Sequence, residues 1–260
     1  MKKIKLERRE IKELLENRYA RYNNTGFIET DPVCVPHIFS LKDNIEIAGF
    51  LTAIIAWGQR KTIIANAKKL MKMMGNSPYE YIINGSKDDF NELTIFKHRT
   101  FNGTDTLYFL SSLQNIYRNY GGLETLFTEF YNNTGSMKEA LIHFRDIFFE
   151  LPHPERTGKH IADVRKNASA KRLNMFLRWM VRKDNRGVDF GLWKHIPASA
   201  LFMPLDVHTG NVARKLGLLS RKQNDWYAVE ELTSELRVFD ADDPVKYDFA
   251  LFGLGAFEAF

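Results

Sequence analysis

The chain reads as an all-α fold of about a dozen helices, and three observations carry that reading. Apolar residues recur at spacings of three and four along most of the 260 residues. No two alternating segments are joined by a two-residue turn, and the Asn-Gly pairs at 84 and 102 lack the period-two flanks of a hairpin. Hydrophobic residues make up 44% and aromatics 13%, enough to fill a core and to set disorder aside.

The elements follow in order. Ile11, Leu14, Leu15, Tyr19 and Tyr22 form one stripe of a helix over 6–22 that stops at Asn23-Asn24-Thr25-Gly26. A polar loop with Pro32 and Pro36 comes next. Asp43 or Asn44 caps a helix through Ile45, Phe50, Leu51 and Ile55 that runs beyond Trp57 and kinks at Gly58. A stripe resumes at Ile63, Ala67, Leu70 and Met71 and ends near Gly75. Thr104 or Asp105 opens a helix over 107–120, which Gly121-Gly122 terminates. Helices over 123–131 and 137–151 follow. The polar segment 153–166 holds Pro154 and reads as a loop or lobe boundary. A strong helix spans 168–181, a mixed stretch 187–203, and three helices cover 207–218, 226–239 and 245 to the end. Asp243 and Pro244 suit the start of the last one, as cap and first-turn residue.

Composition narrows the function. Cys34 is the one cysteine, which excludes a disulfide framework, a four-cysteine zinc site and an iron–sulfur cluster held by this chain alone. The longest clean apolar run, 48–58, is too short to cross a bilayer. The basic N-terminus leads into a charged amphipathic stretch rather than a secretory signal. A monomeric cytoplasmic protein is expected, with no membrane partner, no cofactor and no metal. Lys plus Arg number 37 against 32 Asp plus Glu, a net charge of +5 that favours a polyanionic partner.

The most informative stretch runs from Pro204 through Asp206 to Leu218. Pro204 disfavours helical geometry in its predecessor, Asp206 falls where an N-cap belongs, Val207, Val212 and Leu216 form a stripe, and Gly217 suits the helix end. At minimum Asp206 is a cap, and that reading by itself leaves an unrelated helical enzyme or interaction module open.

This stretch resembles the "V-D-T-H-V-x-R-V-x-x-R-L-G" run of the helix-hairpin-helix DNA glycosylase superfamily. Leu205, Asp206, His208, Val212, Arg214, Leu216 and Gly217 fall on it without a gap, while Val207, Thr209 and Asn211 depart. The stretch 50–62 is similar to that superfamily's "L-L-x-x-I-L-S-Q-Q-T" helix end, and 101–122 to its next helix. The chain also looks like a largely uncharacterised bacterial family, a distant branch of the superfamily. The usual "L-P-G-V-G-x-K-T-A" hairpin has no counterpart in 191–199, which holds no Gly-x-Gly. The stretch from Ala168 to Met180 is similar to the lysine-bearing helix of archaeal 8-oxoguanine DNA glycosylases.

The resemblance implies a two-lobed helical fold with an active-site cleft between a bundle lobe at 46–165 and a second lobe formed by 1–45 and 166–260. It implies a base-excision glycosylase, with or without AP-lyase activity, acting on a flipped damaged base in duplex DNA. Asp206 is then the catalytic carboxylate, stabilising positive charge on the sugar. Lys171, 35 positions earlier, is the candidate nucleophile, with Lys194 the alternative. Gln59, Arg60, Arg172, Arg178, Lys194, His208, Arg214 and Lys215 are the expected nucleic-acid contacts, and Trp57, Phe176 and Trp179 the expected base pocket. Against this stands an ordinary reading of α-helical charge: Lys171, Arg172, Arg178, Arg182 and Lys183 can form a solvated basic face. A helical protein that binds nucleic acid without catalysis is the alternative function.

Overall fold

The computed structural model describes residues 6–258 and Phe260. The basic first five residues, on which part of the targeting argument rests, lie outside the described residues. Thirteen helices are described: α1 (Arg8–Tyr22), α2 (Thr25–Thr30), α3 (Lys42–Ile55), α4 (Arg60–Met73), α5 (Pro78–Asn84), α6 (Lys87–Glu92), α7 (Gly103–Asn119), α8 (Leu123–Thr134), α9 (Met137–Phe148), α10 (Lys171–Val181), α11 (Val207–Lys215), α12 (Trp226–Phe239) and α13 (Asp248–Phe257). Among the described residues, the extended pairings are two isolated bridges, His98–Phe101 and Ala168–Asp225. The fold is all-helical, and no helix among the described residues is long and apolar enough to cross a membrane.

Three short helices escape periodicity because they are too short to repeat a stripe, and two of them are fixed at their starts. In α6 the Ser86 hydroxyl accepts from the Asp89 N–H while Asp89 Oδ2 accepts from the Ser86 N–H at 2.7 Å, a reciprocal capping box. Pro78 starts α5 at a position where no N–H is needed. In α2 only Phe27 is buried, so there is no stripe to read. The same capping box opens α7 through Asn102 and Asp105, so the Asn-Gly pair at 102 is a helix start. Helix α3 stops at Ile55 instead of continuing past Trp57; Gly58, at φ +104°, breaks the chain before α4 begins. Neither Asp43 nor Asn44 caps α3, because Asn44 Oδ1 accepts from the Tyr79 N–H at 2.9 Å.

The chain divides into two compact units, one from 1–27 together with Asp163–Phe260, the other Ile28–Ala162. The division falls at 27/28, inside α2, because the 3-10 turns Pro32–Cys34 and Pro36–Ile38 pack on α3 and α4.

In the Ile28–Ala162 unit the central helix is α3, buried continuously from Asn44 to Ile55. Phe50 at its middle meets Phe109 of α7 and Phe144 and Phe148 of α9, with ring centroids 5.7–6.2 Å apart. In the other unit α13 is central and packs against α1 and α11. Two glycines permit this. A Cβ at Gly253 would lie 2.1 Å from the Tyr22 ring, and one at Gly255 would lie 3.0 Å from His208 Cβ. The close approach brings together the start of α11, which Asp206 caps, and the start of α13 at Asp248.

Candidate active site

Helix α11 builds one half of the site. Asp206 is its N-cap: the backbone is extended, and Oδ1 accepts from the Thr209 N–H at 2.9 Å. That leaves Oδ2 directed elsewhere. The Asp206 carbonyl accepts from Asn224 Nδ2 at 3.0 Å, and Arg214 Nη2 donates to Asn224 Oδ1 at 2.6 Å. A Cβ at Gly210 would stand 2.7 Å from Asn224 Oδ1, so glycine there lets this brace close on the first turn.

Helix α10 supplies the amine. Lys171 is its first residue, and Ala170 before it adopts the left-handed conformation at φ +48°. That geometry costs an alanine roughly 1–2 kcal/mol, and it is held by a residue almost wholly buried. Lys171 Nζ lies 3.8 Å from Asp206 Oδ2 and 3.7 Å from Met175 Sδ. The two side chains are 27% and 21% exposed, so the pair is sheltered but open to solvent.

A second acid faces this pair. Asp248 is the first residue of α13, and its carboxylate pairs with Arg178 Nη1. Lys171, Met175, Arg178 and Arg182 succeed one another at spacings of four, three and four, so they share one face of α10. Burial pushes the Asp248 carboxyl up to about 6; Arg178 opposes the rise, Asp206 adds to it and Lys171 reduces it. Arg178 Nε also reaches Asp189 Oδ1 at 3.2 Å. One turn further, Arg182 reaches Asp184 and Asp243 at 2.8 Å and Asp189 at 3.0 Å, and donates to Tyr19 Oη at 2.7 Å. Burial would lower Arg182, and Asp189 and Asp243 more than reverse this. The pair at Lys171 is therefore the solvent-facing end of a buried ionic row.

The structure sorts the predicted residues. It brings Lys171 and Asp206 together. Lys194 is exposed and is not among the partners of Asp206. Three expectations are corrected. Phe176 and Trp179 are fully buried, Phe176 edge-on to Trp193 at 5.4 Å, so both are core and neither presents a face to a base. Arg178 is buried between Asp189 and Asp248, so it does not reach a phosphate. The solvated basic face fails for the same reason at Arg178 and Arg182, while Lys183 is exposed. Arg172 is largely enclosed, and burial lowers it to about 10. Arg214 serves the loop, Nε donating to the Arg221 carbonyl at 2.7 Å. His208 is exposed, with its ring edge-on to Phe252 at 6.2 Å, and Lys215 lies 5.8 Å from the Phe260 ring.

Gln59, Arg60 and Trp57 belong to the other unit. Gln59 is exposed at the start of α4, Arg60 opens that helix, and the half-buried Trp57 lies beneath the Arg99 guanidinium at 4.6 Å. Between α10 and α11 the chain is irregular apart from one 3-10 turn, Ala198–Ala200, so no helical hairpin stands there. Among the described residues no group of three or more His, Cys, Asp or Glu side chains is arranged to hold a metal ion.

Asp248 was missed by sequence reading, and so was Asp189. Each had one signal: a lone carboxylate inside an apolar run, Tyr247-Asp248-Phe249-Ala250-Leu251 and Val188-Asp189-Phe190. Asp243 does not cap the last helix; its Oδ2 is taken by Arg182 while Pro244 opens a 3-10 turn that leads into α13.

No curated protein and no solved structure matches the chain. Residues 31–257 match the model of the family described as a protein of unknown function (DUF2400), and with most of its length covered the chain belongs to that family.

Proposed function

We propose that the protein is a DNA glycosylase that releases a damaged base through Lys171 and Asp206, with an associated AP-lyase step. The observation that carries the reading is the 3.8 Å separation of Lys171 Nζ from Asp206 Oδ2 in a partly exposed pair. Two further features support it. Asp206 keeps one oxygen on its cap while the other faces the amine, and the net charge of +5 suits a polyanionic partner.

The chemistry divides between the two groups. As the bond from C1′ to the base breaks, its electron pair leaves with the base, which takes up a proton. Asp206 stabilises the positive charge that develops on the sugar. Once its ammonium has given a proton to solvent, Lys171 donates the freed lone pair to C1′ and releases a second proton. Ring opening then gives a protonated Schiff base, from which strand scission proceeds and which borohydride reduces to a stable adduct.

The test is a panel of duplexes carrying oxidised, deaminated or alkylated bases, with borohydride present. Wild type is expected to form a covalent adduct on at least one substrate, Lys171→Ala none, and Asp206→Asn far less. Binding to every duplex without base release would instead leave a non-catalytic nucleic-acid-binding protein. No release from any substrate, with Asp206→Asn behaving as wild type, overturns the reading.

A further inference from the structure

We propose that the exposed lysine row of α4, formed by Lys61, Lys68 and Lys72, is a docking surface for the phosphate backbone of duplex DNA. From Ile47 to Tyr79 the chain holds Arg60, Lys61, Lys68, Lys69 and Lys72 and no Asp or Glu. Positions 61, 68 and 72 are separated by seven and four residues, so they project from one face of the helix. At about 1.5 Å per residue the row extends for about 16 Å. The three lysines are exposed, and the opposite face, with Ile63, Ala67, Leu70 and Met71, is buried in the unit.

Local electrostatics opposes this arrangement. Cations in the first turn meet the positive end of the helix dipole, and α4 begins with Arg60 and Lys61, has no acid in that turn and has no side-chain cap on Gln59. Lys68 and Lys72 are like charges four apart, which destabilises a helix by a few tenths of a kcal/mol. Some surface cations of the protein are paired with acids: Lys42 with Glu46 and Glu124, Arg8 with Glu235, Arg221 with Asp225. Lys61, Lys68 and Lys72 are exposed and lie in a segment without acids, so no acid within the helix offsets their charge. A charge pattern that works against its own helix is expected where it serves a partner, and the complement of an acid-free cationic row is a polyanion. A bilayer is disfavoured as that partner, since an interfacial helix needs a free apolar face and that of α4 is already buried.

The inference shares its partner class with the glycosylase reading but not its chemistry, so the two are tested separately. Binding of an undamaged fluorescent duplex is followed by anisotropy from about 50 to about 200 mM salt. Each phosphate contact contributes about 0.9 to the slope of log K against log salt, so Lys61→Gln/Lys68→Gln/Lys72→Gln is expected to flatten it by about 2.7. The corresponding triple arginine variant keeps the slope. An unchanged slope in the glutamine variant overturns the proposal. So does wild-type binding to phosphatidylserine vesicles without binding to DNA. A flattened slope in a protein that releases no base leaves the docking surface standing and removes only the catalytic reading.

Discussion

Replacing Asp248 with asparagine measures the electrostatic setting of the candidate site directly. The carboxyl is buried at the start of α13 and is pushed from an ordinary 3.8 up to about 6. Between those values the folded protein binds a proton that the unfolded chain releases, so this group makes stability fall as pH rises through that window. One pH unit is worth about 1.36 kcal/mol, so ionised Asp248 costs the fold about 3 kcal/mol above pH 6 relative to its state below pH 4. Asparagine removes that dependence while Asp189 still pairs with Arg178 at 3.2 Å. Urea unfolding of wild type and Asp248→Asn at pH 4, 5, 6 and 7 gives the difference in stability at each pH. Relative to the variant, wild type is expected to lose about 2.4 kcal/mol between pH 4 and pH 7. A difference that stays constant with pH refutes the claim that Asp248 meets Asp206 and Lys171 with a reluctant charge.

Further outcomes follow from the same geometry. Lys171→Ala should change stability by less than about 1 kcal/mol in a urea titration, because a partly exposed pair at 3.8 Å contributes little; a larger loss would show that the lysine is structural. Asp206→Asn keeps an oxygen for the Thr209 N–H and so should melt within a few degrees of wild type, while any base release drops by about 100-fold or more in a single-turnover assay. Gly253→Ala should cost about 1–3 kcal/mol in urea, since its methyl would lie 2.1 Å from the Tyr22 ring and α1 would have to shift. Arg182→Met leaves Asp184, Asp189 and Asp243 without their shared counter-charge and should lower stability by about 3–5 kcal/mol, read by the same titration.

Sequence alone determined the helical class and most long elements, because the apolar period of 3.6 survives wherever one helix face is buried. Helix α12 appears at Trp226–Phe239 as its stripe predicts, and α1 and α11 begin within two residues of expectation. Asp206 was legible for a local reason: an extended residue after proline, before an apolar stripe, is a cap in almost any fold. The tertiary structure decided the meaning of the charges. Arg178 and Arg182 look like a solvated face until Asp189, Asp243 and Asp248 arrive from distant segments, and no local pattern encodes that meeting. Phe176 and Trp179 likewise become core only because Trp193 and the rest of the unit close over them. Backbone capping is satisfied within a few residues and can be read in order along the chain. The pairing of buried charges is satisfied across the whole unit, so it emerges only when α10, α11 and α13 pack.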